Sequence, residues 1–229
     1  MKRIIFYSDS PGFGGAEKVL ISLIKNLDRD KYGPYIVFKK DRSMSDAVKK
    51  AGNIGSKQVS RIFGAIEFFF ILKYLKPDIV DFNMHYPFSC IGGVLAAKLA
   101  GARCLVARLH STVKLSSRFP FGRSFKIFFT NIMFRQINLF ISVSQSSKND
   151  IAFNYGIDPQ KVKIVRNGIE PGEITGMDKV AAKRKFGIDP NKKVVGLLSR
   201  LVKDKGHYYF IDSADLICRS VPDVIFLIA

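Results

Sequence analysis

Acidic residues are scarce in this sequence. Nineteen Asp and Glu stand against 37 Lys and Arg, a formal charge of +18 over 229 residues. Such a deficit implies attraction to anions: nucleotides, phosphorylated substrates, nucleic acid or an anionic membrane face. The cations are dispersed, with no run of five or more consecutive basic residues, so a disordered basic tail is not expected. Tryptophan is absent and only three cysteines occur. Cys90, Cys104 and Cys218 form no CxxC pair and each has apolar neighbours. Free, buried thiols in a reducing compartment are expected, and no zinc site. No apolar run approaches the roughly 20 residues of a spanning helix; the richest is Phe68 to Leu72. The N-terminus, Met1-Lys2-Arg3-Ile4-Ile5-Phe6, sets bases before apolar residues but reaches Ser8-Asp9-Ser10 too soon for a signal peptide. A cytoplasmic protein is expected.

What is present describes a globular chain with a real core, 47% hydrophobic and 24% charged. Ile4 to Tyr7 is a short apolar run bounded by turn residues, and Gly12-Phe13-Gly14-Gly15 follows it. Ala16, Val19, Leu20, Leu23, Ile24 and Leu27 then recur at helical spacing, with Glu17, Lys18, Lys25 and Asn26 assigned to the other face. Strand, glycine loop and amphipathic helix open a doubly wound parallel sheet. The alternation continues. Tyr35 to Phe38, Gln58 to Ser60, Ile79 to Phe82, Cys104 to Leu109, Leu139 to Val143 and Val162 to Val165 read as strands. Helices are predicted between them, over Asp46 to Ala51, Ala65 to Leu75 (stopped by Lys76-Pro77), Phe88 to Ala100, Phe121 to Gln136 and Ser147 to Tyr155.

Glu170 to Thr175 is poor in apolar residues and carries Pro171 and Gly172, a linker signature. A helix near Asp178 to Phe186 and a fresh unit, strand Val194 to Leu198 with a later strand Val224 to Ile228, follow. The predicted organisation is a complete Rossmann-like parallel-sheet domain over residues 1–170, a linker and connecting helix over 171–190, and the start of a second Rossmann-like domain over 191–229.

Several residues carry chemistry. The first loop offers Gly12 and Gly14 of a G-x-G-x-x-G fingerprint, but Glu17 holds the third glycine position. The second strand ends in Lys39-Lys40, not in an acid for a ribose hydroxyl, so no nicotinamide or flavin is expected. His110 closes a strand and is followed by polar residues, at the edge where open α/β sheets place ligands. His85 also follows a strand, but Tyr86-Pro87 behind it reads as a packed turn. Between the strand ending at Leu198 and the helix from Tyr208, Ser199 to His207 forms a polar loop bracketed by Arg200 and Lys205. A strand–loop–helix junction with two cations suits a diphosphate, and His207 could add a donor. Two segments mix bases with aromatics: Arg61 to Phe70 and Arg118 to Phe129. With 20 Phe and the basic excess, they suit an interfacial membrane surface. No nucleic-acid motif occurs.

Taken in order, these motifs resemble family 4 glycosyltransferases of the GT-B fold. Gly12-Phe13-Gly14-Gly15-Ala16-Glu17 is similar to their glycine-rich acceptor-side loop. Ile141-Ser142-Val143-Ser144 and Val165-Arg166-Asn167-Gly168-Ile169-Glu170 resemble the stretch before their interdomain crossover. Leu198-Ser199-Arg200-Leu201-Val202-Lys203-Asp204-Lys205-Gly206 resembles their donor loop. The resemblance implies a retaining, hexosyltransferase-type enzyme that uses a nucleotide sugar, with no metal and no further cofactor. Its acceptor would be a glycan or a lipid-linked group in surface polysaccharide or lipopolysaccharide synthesis. His110, Arg200 and Lys205 would be catalytic, and Gly14, Gly15, Asn167 and Ser199 would line donor or substrate. Ser199 replaces the family's usual Gly, and Ser111 replaces the Asp that often follows the histidine. The family's spaced pair of glutamates would lie beyond Ala229, which implies a chain truncated in its C-terminal domain. The alternative is a catalytically inactive product that keeps only an acceptor- or membrane-binding domain. Partners are expected to be the nucleotide sugar, the acceptor and an anionic membrane surface, without nucleic acid, on the inner face of the cytoplasmic membrane.

Overall fold

The computed structural model describes residues 1–111, 128–169 and 176–229. Two compact units emerge, Met1–Gly168 and Ile169–Ala229. The residues assigned to the linker at 170–175 lie outside the described part, as do 121–127 of the helix predicted from Phe121; residues 128–134 are helical.

The first unit is built on β1 (Lys2–Ser8), β2 (Tyr32–Lys39), β3 (Gly55–Val59), β4 (Ile79–Met84), β5 (Leu105–Leu109), β6 (Leu139–Ser142) and β7 (Val162–Ile164). They form one seven-stranded sheet in the order β3-β2-β1-β4-β5-β6-β7. Every pairing is parallel. The expected α/β architecture is what the chain adopts, with strand bounds shifted by a few residues. The helices are α1 (Gly15–Lys25), α2 (Arg42–Lys50), α3 (Gly64–Leu75), α4 (Ile91–Leu99) and α5 (Gln145–Tyr155).

The run Ile4-Ile5-Phe6-Tyr7 is apolar throughout because both faces of the sheet are covered. Alternate side chains serve two cores. Ile4 and Phe6 join Leu20, Ile21 and Ile24 of α1 and Met44 and Val48 of α2. Ile5 and Tyr7 join Phe68 and Leu72 of α3, Val94 and Ala97 of α4, and Ile151 of α5. Each fully buried Phe, such as Phe68 or Phe82, contributes on the order of 2–3 kcal/mol. Lys76 ends α3 in the left-handed region (φ 44), because Pro77 disfavours a continued helix before it. The helix predicted from Phe88 starts later, at Ile91; Ser89 instead turns back, its hydroxyl donating to the Tyr86 carbonyl at 2.7 Å.

Tyr7 stacks on Phe68 with ring centroids 4.2 Å apart. Gly93 of α4 lets that helix close on the same ring: a Cβ there would sit 2.6 Å from the Tyr7 ring edge. Gly93→Ala is therefore expected to cost about 1–3 kcal/mol by overpacking, read as a lower urea midpoint at unchanged slope. An unchanged midpoint would show that the ring can step aside.

The second unit holds α6 (Lys179–Lys185), β8 (Lys193–Leu197), α7 (His207–Ser220) and β9 (Val224–Ile228), with β8 and β9 paired in parallel. Val194 and Val195 are about 40% exposed. The cysteine expectation needs correction. All three thiols are free, but only Cys90 is buried; Cys104 is half-buried and Cys218 is exposed on α7.

Candidate functional site

The strand order reverses beside β1: β2 lies on one side of it and β4, the fourth strand in the chain, on the other. Loops leaving β1 and β4 therefore diverge, and the carboxyl edge between them is where open α/β sheets receive ligands. Three polar segments meet there. Ser8 to Gly14 leaves β1, Asn83 and His85 end β4, and Arg108 and His110 end β5.

Glu17 ties these segments together. Helical spacing sets it on the outer face of α1, but in the structure it is 1% exposed. Its Oε2 accepts the Gly14 N–H at 3.0 Å, folding the carboxylate back on the first turn as the N3 half of a capping box does. Its Oε1 takes His85 Nε2 at 2.5 Å, with the Ser8 hydroxyl at 3.3 Å and the Asn83 amide at 3.4 Å. Asn83 Oδ1 then accepts from His110 Nε2 at 2.8 Å. A continuous chain of polar groups, His85–Glu17–Asn83–His110, thus spans the ends of β4 and β5 and the start of α1. Burial pushes the Glu17 carboxyl up, but the His85 hydrogen bond and charge, with the Gly14 amide, outweigh it and hold the group below its ordinary range.

Of the two histidines, one keeps the position that its sequence reading gives it and the other departs from it. His110 stands where it was placed, at the end of β5, its N–H donating to the Met84 carbonyl at 3.1 Å. His85 is no mere packed turn. Its Nε2 is held by Glu17 and its side chain remains 27% exposed. Burial, then the charges of Arg108 and His85, push the His110 pKa down to about 4. At neutral pH the ring is uncharged, donates through Nε2 to Asn83, and keeps Nδ1 as a lone-pair acceptor suited to a hydroxyl group. NMR titration of the His110 ring is expected to show a midpoint near 4. Because the folded value lies below the ordinary His value, the group's contribution to stability is whole above about pH 6.5 and is lost as pH falls through about 4. A midpoint near 6.5 would refute this.

Beneath the network lies a buried ion pair, Arg108 Nη2 to Asp81 Oδ2 at 2.9 Å. Beside it, Asp9 accepts the Cys90 N–H at 2.7 Å and its thiol at 3.3 Å, holding Cys90 in the left-handed region at φ 59. Burial, then the Asp9 charge, push this thiol well up, so it is unreactive.

Gly14 and Gly15 are therefore brought beside this network, Gly14 as the N-cap and Gly15 as the first residue of α1. Asn167 is not: it lies exposed past β7, at the far edge of the sheet. Ser199, Arg200 and Lys205 belong to the other unit. There the predicted strand–loop–helix junction is present, with Arg200 and Lys205 exposed between β8 and α7. Ser199 extends the β ladder, its N–H donating to the Ala229 carbonyl at 2.9 Å, and its hydroxyl lies 3.3 Å from His207 Nε2. His207 is buried, so it supports the loop from below and does not extend it as an exposed donor. Among the described residues, no cluster of His, Cys, Asp and Glu could hold a metal, and no helix is long and apolar enough to cross a membrane.

A sequence model of Glycosyltransferase Family 4 matches residues 13–173, most of the chain. The chain belongs to Glycosyltransferase Family 4. It is 32% identical over 74 residues to a D-inositol 3-phosphate glycosyltransferase of Segniliparus rotundus, covering 32% of this chain and 16% of that protein. It is 32% identical over 90 residues to an alpha-maltose-1-phosphate synthase of Mycolicibacterium smegmatis, covering 37% of this chain and 22% of that one. Among solved structures, the Anabaena protein HepE in complex with UDP-glucose superposes with a TM-score of 0.78 at 21% identity, over all of this chain and 60% of that one. A glycosyltransferase from Rickettsia africae gives 0.72 at 20% identity, over 94% of this chain and 57% of its own. At these identities the solved structures establish the fold, which is GT-B. This family 4 chain spans about 60% of the length of the structures that it matches.

Proposed function

We propose that this chain carries the acceptor side, and part of the donor side, of a retaining hexosyltransferase that moves sugar from a nucleotide sugar to a glycan or lipid-linked acceptor in surface polysaccharide synthesis. The observation that carries the reading is the buried Glu17 network, which fixes Gly14, His85 and His110 at the switch point of the sheet in a family 4 chain. Neutral His110 would accept from a hydroxyl of the transferred sugar. Gly14 and Gly15 would let the ligand approach backbone. In the other unit Arg200 and Lys205 would offset the charge that grows on the departing diphosphate, with Ser199 lining their loop. Asn167 would belong to the crossover between the units. No cofactor or metal enters this scheme.

HepE was crystallised with UDP-glucose, which makes that donor the first probe. Titration of the 229-residue chain with UDP-glucose, followed at the amides of Ser199 to His207, is expected to give weak, saturable shifts that Arg200→Ala removes. No shift with any UDP-, GDP- or ADP-sugar would sink the transferase reading and leave a non-catalytic binding domain.

Membrane attachment is a second part of the proposal. On α3 and the turn before it, Ile62, Ile66, Phe70 and Tyr74 repeat every fourth residue and are all exposed, with Phe63 beside them and Arg61 and Lys73 at their flanks. The apolar stripe suits the headgroup boundary, and each flanking cation adds roughly 1 kcal/mol near an anionic leaflet. Of the other aromatic segment, residues up to Ile127 lie outside the described part. The compartment proposed for this attachment is the cytoplasm, on the inner leaflet. Phe70→Ser with Tyr74→Ser is expected to reduce co-sedimentation with phosphatidylglycerol vesicles severalfold; equal sedimentation would refute this face.

A further inference from the structure

A cleft of about 550 Å³ opens at the carboxyl ends of β2 and β3, beside the glycine loop's strand. Its lining is wholly polar: Lys40, Arg42, Lys49 and Arg61 supply cations, and Asp41, Ser45, Asp46 and Gln58 complete it. Four cations face two carboxylates. Asp41 is already engaged, its Oδ1 accepting the Met44 N–H at 2.8 Å as the N-cap of α2. Among the described residues, none of the four cations lies in an ion pair. Cations gathered in excess of the carboxylates beside them repel one another, and a multiply charged anion relieves that repulsion.

The frame of the cleft is fixed by bonds that leave those cations free. The Lys40 N–H donates to the Val59 carbonyl at 3.0 Å, tying the end of β2 to β3. The Gln58 amide donates to the Ser45 hydroxyl at 3.1 Å, tying β3 to α2. Arg61 sits in a turn held twice. The Ser60 N–H donates to the Glu67 carboxylate at 3.2 and 3.3 Å, and the Ser60 hydroxyl accepts the Phe63 N–H at 2.9 Å. Hydrogen bonds from Ser60 hold the Glu67 carboxyl below its usual range, so it stays ionised and keeps the turn at neutral pH. Lys40, Arg42, Lys49 and Arg61 therefore project from a braced rim, not from a loose loop.

We infer that this cleft binds a phosphate group carried by the acceptor. A phosphate monoester brings close to two negative charges and three acceptor oxygens, and Arg42 and Arg61 can each grip it through two N–H groups. The absence of any aromatic in the lining excludes base stacking, which single-stranded nucleic acid would use. The inference rests on the acceptor-side reading of this unit. It names the acceptor's chemistry, a phosphorylated group, whose source is either a soluble sugar phosphate or a lipid phosphate.

The test is titration of the 229-residue chain with inorganic phosphate, and separately with phosphatidylglycerol vesicles against phosphatidylcholine vesicles, read at assigned amides. Phosphate or phosphatidylglycerol is expected to shift Lys40, Arg42 and Arg61. Lys40→Glu with Arg61→Glu is expected to weaken that binding at least tenfold while core amides such as Ile5 and Phe82 stay in place. Shifts with phosphate identify a soluble source; shifts with phosphatidylglycerol vesicles alone identify a lipid one where they reach Lys40 and Arg42, away from the α3 stripe, and overturn the inference where they are confined to Arg61 and α3. Shifts at neither, or shifts that survive the charge reversal, overturn the inference. Donor binding is read in the other unit, at Ser199 to His207, so the two proposals fail independently.

Discussion

Glu17→Ala is expected to destabilise the first unit by about 3–5 kcal/mol, the cost of breaking a buried charge pair, and to lower its Tm by roughly 10 °C. The substitution removes one buried carboxylate and strands four donors at once: the Gly14 N–H, His85 Nε2, the Ser8 hydroxyl and the Asn83 amide. Each loses its partner in a place that water reaches poorly. Glu17→Gln keeps the shape and an acceptor but turns a donor toward one of those donors, so a smaller loss is expected. The pH dependence has a definite sign. Since the folded Glu17 carboxyl lies below its ordinary range, its contribution is whole at neutral pH and is lost as pH falls below the ordinary carboxylate range and through the folded value. Circular dichroism melts at pH 7 and pH 3 check both points. A melt of Glu17→Ala within a degree or two of the parent at pH 7 would show that the network contributes little.

Arg108→Leu is expected to be as damaging, about 3–5 kcal/mol at neutral pH. Asp81 and Arg108 are each less than a tenth exposed and form a 2.9 Å pair. Burial pushes the Asp81 carboxyl up, and Arg108 offsets part of that. Without the guanidinium, Asp81 must either stay charged in the core or take up a proton. Its folded value then rises further, so the penalty falls as pH is lowered and grows as pH rises. Asp81→Leu with Arg108→Leu should recover most of the loss, since a buried pair replaced by apolar groups is often near neutral. A second readout is local. The Arg108 charge helps to depress His110, so Arg108→Leu should raise the His110 midpoint above about 4. If the double variant melts as low as the single one, the cost lies in packing and not in the orphaned charge.

Most of the fold could be read from the chain because parallel strands buried on both faces announce themselves as short apolar runs between turn residues. Ile4 to Tyr7 and Ile79 to Phe82 are such runs, and Lys76-Pro77 marked a helix end by a steric rule. Strand order was not legible, because alternation of strand and helix is compatible with many orders. Nor was Glu17. A charged residue one step from Ala16 reads as solvent-facing, and only its place three residues after the Gly14 N-cap signals a carboxylate folded back on the backbone. His85 carried the same positional signal as His110, the end of a strand, and the Tyr86-Pro87 turn behind it pointed elsewhere. The cationic cleft was invisible for a different reason: Lys40 and Arg61 are 21 positions apart and meet only through the pairing of β2 with β3.

The central place of β1 also sets a timetable. Its neighbours are β2 and β4, and the pairing of Ile4 with Ile79 joins residues 75 positions apart. During synthesis β1 and β2 can pair early, but the other edge of β1 waits for some 40 further residues, from Lys39 to Ile79, to be made. At about 5–20 residues per second that wait lasts a few seconds. Throughout it, the backbone of Ile4 to Tyr7 presents an open, apolar strand edge, the part of a nascent sheet most prone to pair with the wrong chain. The arrangement that opens a ligand site in the finished sheet leaves the same strand the most exposed to misassembly while the chain is being built.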